Sequence, residues 1–262
     1  MPHRLPRLVA TDIDGTLLRS DGTLSDRTLA ALSVAELAGA EVVLVTGRPP
    51  RWLGDVTSRT GQRGLAVCSN GALLVDMQAE SFLRSQLLEP VRTAKLVSAV
   101  RGAVPEVAFA AEFGWWFAAE PEYEARDPHC VVDADEVAAR PAAKLIAKHP
   151  SMDVDELLGT VGEAVGDLGT CTHSSITSRM VEISAPGVTK ATMLAALCHD
   201  RGIDPADVVA FGDMPNDLAM LAWSGQPYAV GNAHPDVLAA VVDHAPSNDE
   251  DGVAATLTAL FA

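Results

Sequence analysis

The stretch Leu8-Val9-Ala10-Thr11-Asp12-Ile13-Asp14-Gly15-Thr16-Leu17-Leu18 decides the fold. A short apolar run reads as a buried strand, and this one ends in two carboxylates two residues apart. Side chains alternate along a strand, so the spacing predicts that Asp12 and Asp14 emerge on one side where the strand stops. At the carboxyl end of a parallel strand, that is where open α/β sheets bind ligands. Two ionised carboxylates ~4 Å apart repel by about 4 kcal/mol at an effective dielectric near 20. A bound cation, or a proton on one of them, must offset that repulsion. An Asp-Gly turn after an ordinary strand uses the same residue types, so the rest of the chain has to decide.

Working outward, the same rhythm repeats. Asp21-Gly22 carries a hairpin signal, read as a small flap over the Asp12 end of the strand. Ser25 caps a helix through Leu29, Leu32 and Leu37, closed by Gly39. Glu41–Val45 is a second buried strand ending in Thr46-Gly47-Arg48. Leu65–Cys68 is a third, ending in Ser69-Asn70-Gly71. This order predicts a parallel sheet with right-handed crossovers. From about Asp76 to Ser184 the segments become shorter and mixed. Helices are expected near 91–100 and 153–165, with strands near 107–110, 115–118, 144–147, 169–173 and 180–184. The first rhythm resumes at Lys190. A strand over 207–211 then ends in Gly212-Asp213-Met214-Pro215-Asn216-Asp217. The fold class expected is α/β: a doubly wound, Rossmann-type parallel-sheet core from residues 1–80 and 185–262, with an α+β cap from 81–184.

The 262 residues are 48% hydrophobic and 21% charged, the composition of a soluble globular chain. A net charge of −16 predicts repulsion from nucleic acid and anionic membranes. Cys68, Cys130, Cys171 and Cys198 form no metal-type spacing and read as reduced thiols of a cytoplasmic protein. Met1–Arg4 leads into the first strand with no room for a signal peptide, and no apolar run reaches the ~18 residues of a membrane helix.

Four strands thus end in polar groups, at Asp12/Asp14, Thr46, Asn70 and Asp213/Asp217. In a parallel sheet those ends share one edge, so the groups can meet. Asp12 with Asp213 makes a hard, all-oxygen site that suits Mg²⁺ better than zinc. Singly, each residue also has a plain structural role, as a helix cap at Asp213 or Thr46, or a solvated lysine at Lys190.

Asp12-Ile13-Asp14-Gly15-Thr16, Thr46-Gly47-Arg48, Lys190 and Gly212–Asp217 together resemble the four ordered motifs of the haloacid dehalogenase superfamily. The insertion between the second and third motifs resembles the Cof-type phosphatases with a type IIB α/β cap. Ser69-Asn70-Gly71-Ala72 and Asn248–Val253 are similar to that branch as well. Ala191 departs from it, where glycine often follows the lysine. The resemblance implies Asp12 as nucleophile, forming an aspartyl-phosphate, and Asp14 as general acid and base. It implies Mg²⁺ held by Asp12, Asp14 (through its backbone carbonyl), Asp213 and Asp217. It further implies that Thr46 and Lys190 hold the phosphoryl group, with backbone N–H groups near Gly15 and Gly47. Asn216 is expected to orient Lys190, and Arg48 and Asn70 to contact substrate. In the cap, Trp115, Trp116, His173 and Arg179 are candidates for reading the rest of the substrate. The function so implied is hydrolysis of a small phosphorylated metabolite, a sugar phosphate by preference, by a monomer or weak homodimer. A phosphomutase with the same nucleophile and a phospho-Asp regulatory protein without turnover are the alternatives. No GxxxxGK[ST] occurs, which argues against a P-loop ATPase.

Overall fold

The structure is a computed structural model that describes residues 5–60, 64–125, 127–173 and 179–261. The expected absence of a leader rests on Met1–Arg4, which lie outside the described residues. Among the described residues no helix is long and apolar enough to cross a membrane.

Among the described residues fourteen strands form two sheets. β1 (Leu8–Thr11), β2 (Glu41–Val45), β3 (Leu65–Cys68), β4 (Leu73–Asp76) and β5 (Ser81–Ser85) come first. Then follow β6 (Ala108–Glu112), β7 (Phe117–Ala119), β8 (Cys130–Val132), β9 (Lys144–Lys148), β10 (Thr170–Thr172) and β11 (Met180–Ser184). The chain ends with β12 (Val208–Gly212), β13 (Gln226–Val230) and β14 (His244–Ala245). The larger sheet runs β14-β13-β12-β1-β2-β3-β4-β5. It is parallel from β14 to β3, and β4 and β5 add on antiparallel.

Alternation assigns the two faces of this sheet. Val9, Val42, Leu44 and Phe211 pack under α1 (Asp26–Leu37) and the C-terminal helix, through Leu32, Ala35, Val253 and Leu257. Leu8, Ala10, Val43, Val45 and Ala210 face the other way, onto Met193, Leu194, Leu197, Met220 and Val237. Burial on both faces explains why β1 and β2 read as continuous apolar runs rather than alternating ones. The remaining helices are α2 (Gly54–Thr60), α3 (Pro90–Ala103), α4 (Val154–Val165), α5 (Lys190–Arg201), α6 (Leu218–Trp223), α7 (Pro235–Ala240) and α8 (Gly252–Leu260).

The smaller sheet runs β10-β11-β9-β6-β7-β8, antiparallel except for β7 with β8. Phe109, Leu145, Ala147, Val181 and Ile183 bury one face against Leu96, Val100, Leu157 and Val161 of α3 and α4. Lys144, Ile146, Lys148, Met180 and Glu182 alternate with them onto the opposite face. The boundary expected after residue 80 needs correction. β5 is the edge strand of the larger sheet, because the turn after Asp76 folds Ser81–Ser85 back along β4.

Candidate active site

β1 stops at Thr11, one residue short of the first carboxylate. Ile13–Leu17 then forms a wide turn, closed by the Leu18 N–H donating to the Ile13 carbonyl at 2.9 Å. Gly15 takes φ +78° within it. Strand alternation does not carry Asp12 and Asp14 out together in the way expected, because β1 ends before them; the turn nevertheless brings both to one cavity. Asp12 is buried, while the Asp14 carboxylate is 53% exposed.

Each finds its own cation. Lys190 Nζ donates to Asp12 Oδ1 at 2.6 Å and to Asp217 Oδ1 at 2.6 Å. The Arg48 guanidinium grips Asp14 by two bonds, the one from Nε being 2.6 Å. The repulsion anticipated between two adjacent carboxylates is thus met by two separate counter-ions.

Lys190 is the first residue of α5, fully buried behind a Thr189–Thr192 capping box. Burial alone would pull its ammonium toward the neutral form; the charges of Asp12 and Asp217 outweigh it and carry its pKa above the usual lysine range. Asp217 accepts the backbone N–H groups of Asp213 and Met214 on Oδ2, at 3.1 and 3.0 Å. Both its oxygens are therefore engaged within the protein. Asn216, expected to orient Lys190, instead donates to Asn70 Oδ1 at 3.0 Å. Asp217 holds the lysine in its place, because the turn after β12 directs the neighbouring carboxylate inward.

Asp213 follows β12, and its Oδ1 accepts from Thr16 Oγ1 at 2.8 Å. Burial, then the Asp217 charge, pushes the Asp213 carboxyl up to about 7. Burial also raises Asp12 well above the ordinary carboxylate range, against the pull of Lys190. Asp12, Asp213 and Asp217 bring carboxylate oxygens within 4.8 Å of one another. Three buried acids beside a single ammonium leave an excess of negative charge. A hard, all-oxygen donor set of this kind fits a divalent cation.

Gly15 makes this close approach possible. A Cβ on Gly15 would lie 2.3 Å from Asp213 Oδ2, at a φ that L side chains rarely adopt. Gly15→Ala is therefore expected to cost about 1–3 kcal/mol through strain alone and to displace the Asp213 carboxylate. Urea unfolding checks the first, and an unchanged midpoint would show that the turn relaxes freely.

Thr46, at the end of β2, is buried, and its Oγ1 accepts the Arg48 N–H at 3.0 Å. The Gly47 carbonyl accepts from Lys144 at 2.9 Å. These groups converge with Asp12, as the shared strand-end edge requires. Arg179 does not: it is turned to the Pro150 carbonyl, outside the cavity. Trp115 and Trp116 stack on Phe82 and Phe113, and neither lines the cavity. His173 is buried beside Asp155 and likewise does not line it.

A model of the haloacid dehalogenase-like hydrolases matches residues 9–257. The chain belongs to the haloacid dehalogenase-like hydrolase family. Within the family it is an enzyme of the Cof-type phosphatase branch. It is 26% identical over 242 residues to the HMP-PP phosphatase of Klebsiella pneumoniae, covering 90% of this chain and 88% of that one. To the 5-amino-6-(5-phospho-D-ribitylamino)uracil phosphatase of Bacillus subtilis it is 25% identical over 268 residues, 98% of each. The solved structure of a subclass IIB sugar phosphatase shares the fold, with a TM-score of 0.80 at 20% identity over 97% of this chain and 98% of that one.

The family's strand-end residues sit at the floor of a cavity of about 1290 Å³ between the two sheets. Its roof is the polar face of the smaller sheet: Lys144, Ile146 and Lys148 of β9 with Met180 and Glu182 of β11. Arg51 closes one wall. It reaches from the larger-sheet side to Glu112 Oε1 at 2.5 Å and Asp127 Oδ2 at 3.1 Å, beside the Trp52 and Phe117 rings. Sequence reasoning missed Lys144, Glu182 and Arg51. The available signal was charges alternating with a buried apolar face in β9 and β11, which in an antiparallel sheet ordinarily means solvent.

Proposed function

We propose that the chain is a Mg²⁺-dependent phosphatase that hydrolyses small phosphorylated metabolites, sugar phosphates among them, through an aspartyl-phosphate on Asp12. One observation carries this reading: a buried lysine clamped between Asp12 and Asp217, beside the Asp213 carboxylate, at the floor of a metabolite-sized cavity. The names of the similar proteins, an HMP-PP phosphatase, a 5-amino-6-(5-phospho-D-ribitylamino)uracil phosphatase and a sugar phosphatase, support the substrate class.

Asp12, Asp213 and the backbone carbonyl of Asp14 would hold the Mg²⁺, with Asp217 bracing the loop and Lys190. When bound, the ion neutralises charge on the phosphoryl oxygens and keeps Asp12 ionised. Lys190, the Thr46 hydroxyl and the backbone N–H groups at Gly15 and Gly47 fix the remaining phosphoryl oxygens. An Asp12 carboxylate oxygen bonds to phosphorus as the P–O bond to the leaving group breaks. Asp14 gives that leaving oxygen its proton. Asp14 then takes a proton from water, whose oxygen attacks phosphorus and releases phosphate from Asp12. For this role the Arg48–Asp14 pair must open. An incoming phosphate offers Arg48 a second anion, so the pair reads as the resting partner of both groups. Catalysis rests on positioning and charge stabilisation, as phosphoryl transfer generally does.

A phosphate-release screen over sugar phosphates, phosphoglycolate, nucleotides and pyridoxal phosphate, with Mg²⁺ and with EDTA, tests the proposal. Release that needs Mg²⁺ and no activating bisphosphate is expected. No release from any monoester contradicts it.

Asp213 sets a pH dependence. Its folded pKa of about 7 lies above the usual carboxylate value near 3.9. Between those values the folded, metal-free chain holds a proton that the unfolded chain has lost. Its contribution to stability is therefore fully present at low pH and is lost as pH rises toward about 7. A cation must displace that proton, so Mg²⁺ is expected to raise the melting temperature more at pH 8 than at pH 6. Equal gains at the two pH values would remove Asp213 from the cation site.

A further inference from the structure

β13 and β14 continue the parallel sheet beyond β12. The residues that follow them therefore stand at the same edge as Asp12 and Asp213, and they hold the catalytic turns by their backbones. Asn232, after β13, donates from Nδ2 to the Gly15 carbonyl at 2.8 Å. The His234 N–H donates to the Asp213 carbonyl at 2.8 Å. Asn232 lines the cavity, and its Oδ1 accepts the Asn248 N–H at 2.9 Å.

Asn248 opens a turn after β14 that grips the segment following the nucleophile. Its buried side chain donates to the Leu18 carbonyl at 2.9 Å. Asp249 accepts the Ser20 N–H and hydroxyl, both at 2.9 Å. Asp251 accepts the Arg19 guanidinium through two bonds of 3.0 and 2.9 Å. This turn has little room to yield, because a Cβ on Gly252 would lie 1.9 Å from the Pro246 carbonyl. The Ile13–Leu17 turn is thus pinned from one side at Gly15 and just past its end at Leu18.

Asp14 is the residue that needs such pins. Its carboxylate is more than half exposed, so packing does not fix its direction. Its partner Arg48 lets go in the proposed cycle, and from then on the backbone aims the carboxyl. The Gly15–Thr16 peptide, directly after Asp14, is held on both sides. Asn232 holds its carbonyl, and Thr16 Oγ1 is bonded to Asp213 at 2.8 Å. Asp12 is held independently, by its N–H on the Phe211 carbonyl and by Lys190.

Resting on the phosphatase reading, we infer that Asn232 is a positioning residue. Backed by the Asn248–Asp251 turn, it fixes the Gly15–Thr16 peptide and so aims the Asp14 carboxyl at the leaving oxygen. Its contribution belongs to proton transfer rather than to the attack of Asp12 on phosphorus.

The test is kcat/KM, which covers the steps up to departure of the leaving group, for two esters. One is the alkyl monoester hydrolysed fastest in the phosphate-release screen. The other is p-nitrophenyl phosphate, whose nitrophenolate leaves without a proton. Asn232→Ala is expected to lower the alkyl ester about tenfold, the scale of one lost hydrogen bond, and the nitrophenyl ester by less than about threefold. Asn232→Asp keeps the acceptor for Asn248 but loses the donor to Gly15, and the same split is expected; it carries the test if the alanine variant fails to fold. Equal losses on the two esters overturn the inference, since they mark Asn232 as structural only. An unchanged kcat/KM for the alkyl ester in either variant overturns it as well. If the wild type releases phosphate from no alkyl monoester, the phosphatase reading fails first and the inference fails with it.

Discussion

Asp12→Asn is expected to lower phosphate release by about 10⁴-fold or more while leaving the chain folded. The amide matches the carboxylate in size but has no anionic oxygen to form an acyl phosphate. Two effects on stability oppose each other. A neutral amide escapes the burial penalty that raises the Asp12 pKa. Lys190 loses one of its two charged partners but keeps Asp217. A net change within about 1 kcal/mol corresponds to a melting shift of roughly 2–4 °C at this chain length. Phosphate release and calorimetry on the same preparation separate chemistry from folding. Activity within about 100-fold of wild type would remove Asp12 from the mechanism.

Lys190→Met should have the largest combined effect. The methionine fills most of the volume, so the loss is chiefly of charge. Breaking a buried ion pair by removing one partner costs about 3–5 kcal/mol, because the other charges stay buried and unpaired. Here two carboxylates are left facing each other. As pH falls, Asp12, already raised by burial, takes up a proton and relieves part of that penalty. The destabilisation should therefore be larger at pH 8 than at pH 5.5, measured by urea unfolding. Phosphate release should drop about 10²–10³-fold, the scale seen when one preorganised transition-state donor is removed. The same destabilisation at both pH values would contradict the proposed charge balance.

Much of this was legible in the sequence because the decisive elements are local. β1, β2, β3 and β12 are buried on both faces, so their apolar runs end sharply at polar strand termini. Topology alone then gathers Asp12, Thr46, Asn70 and Asp213 at one edge. The reading failed where a single turn decides direction. β1 ends before Asp12, and the positive φ of Gly15 sends Asp14 out to Arg48. The turn after β12 aims Asp217, and not Asn216, at Lys190. Arg179 immediately precedes β11 but is drawn to the Pro150 carbonyl. Lys144 and Glu182 were illegible for a different reason. They sit on strands 38 residues apart in sequence, and only the β9–β11 register puts them on one face. No local pattern reveals that the polar face of that sheet covers a cavity and not solvent.

The central claim is that an Asp12 oxygen becomes bonded to phosphorus. Acid quenching of the Mg²⁺-loaded enzyme during turnover of a monophosphate, followed by peptide mass spectrometry, tests it most directly. The account predicts an acid-stable phosphoryl adduct on the peptide carrying Asp12 in the wild type, and none in Asp12→Asn. An adduct on another residue, or steady phosphate release with no adduct at any quench time, would contradict it.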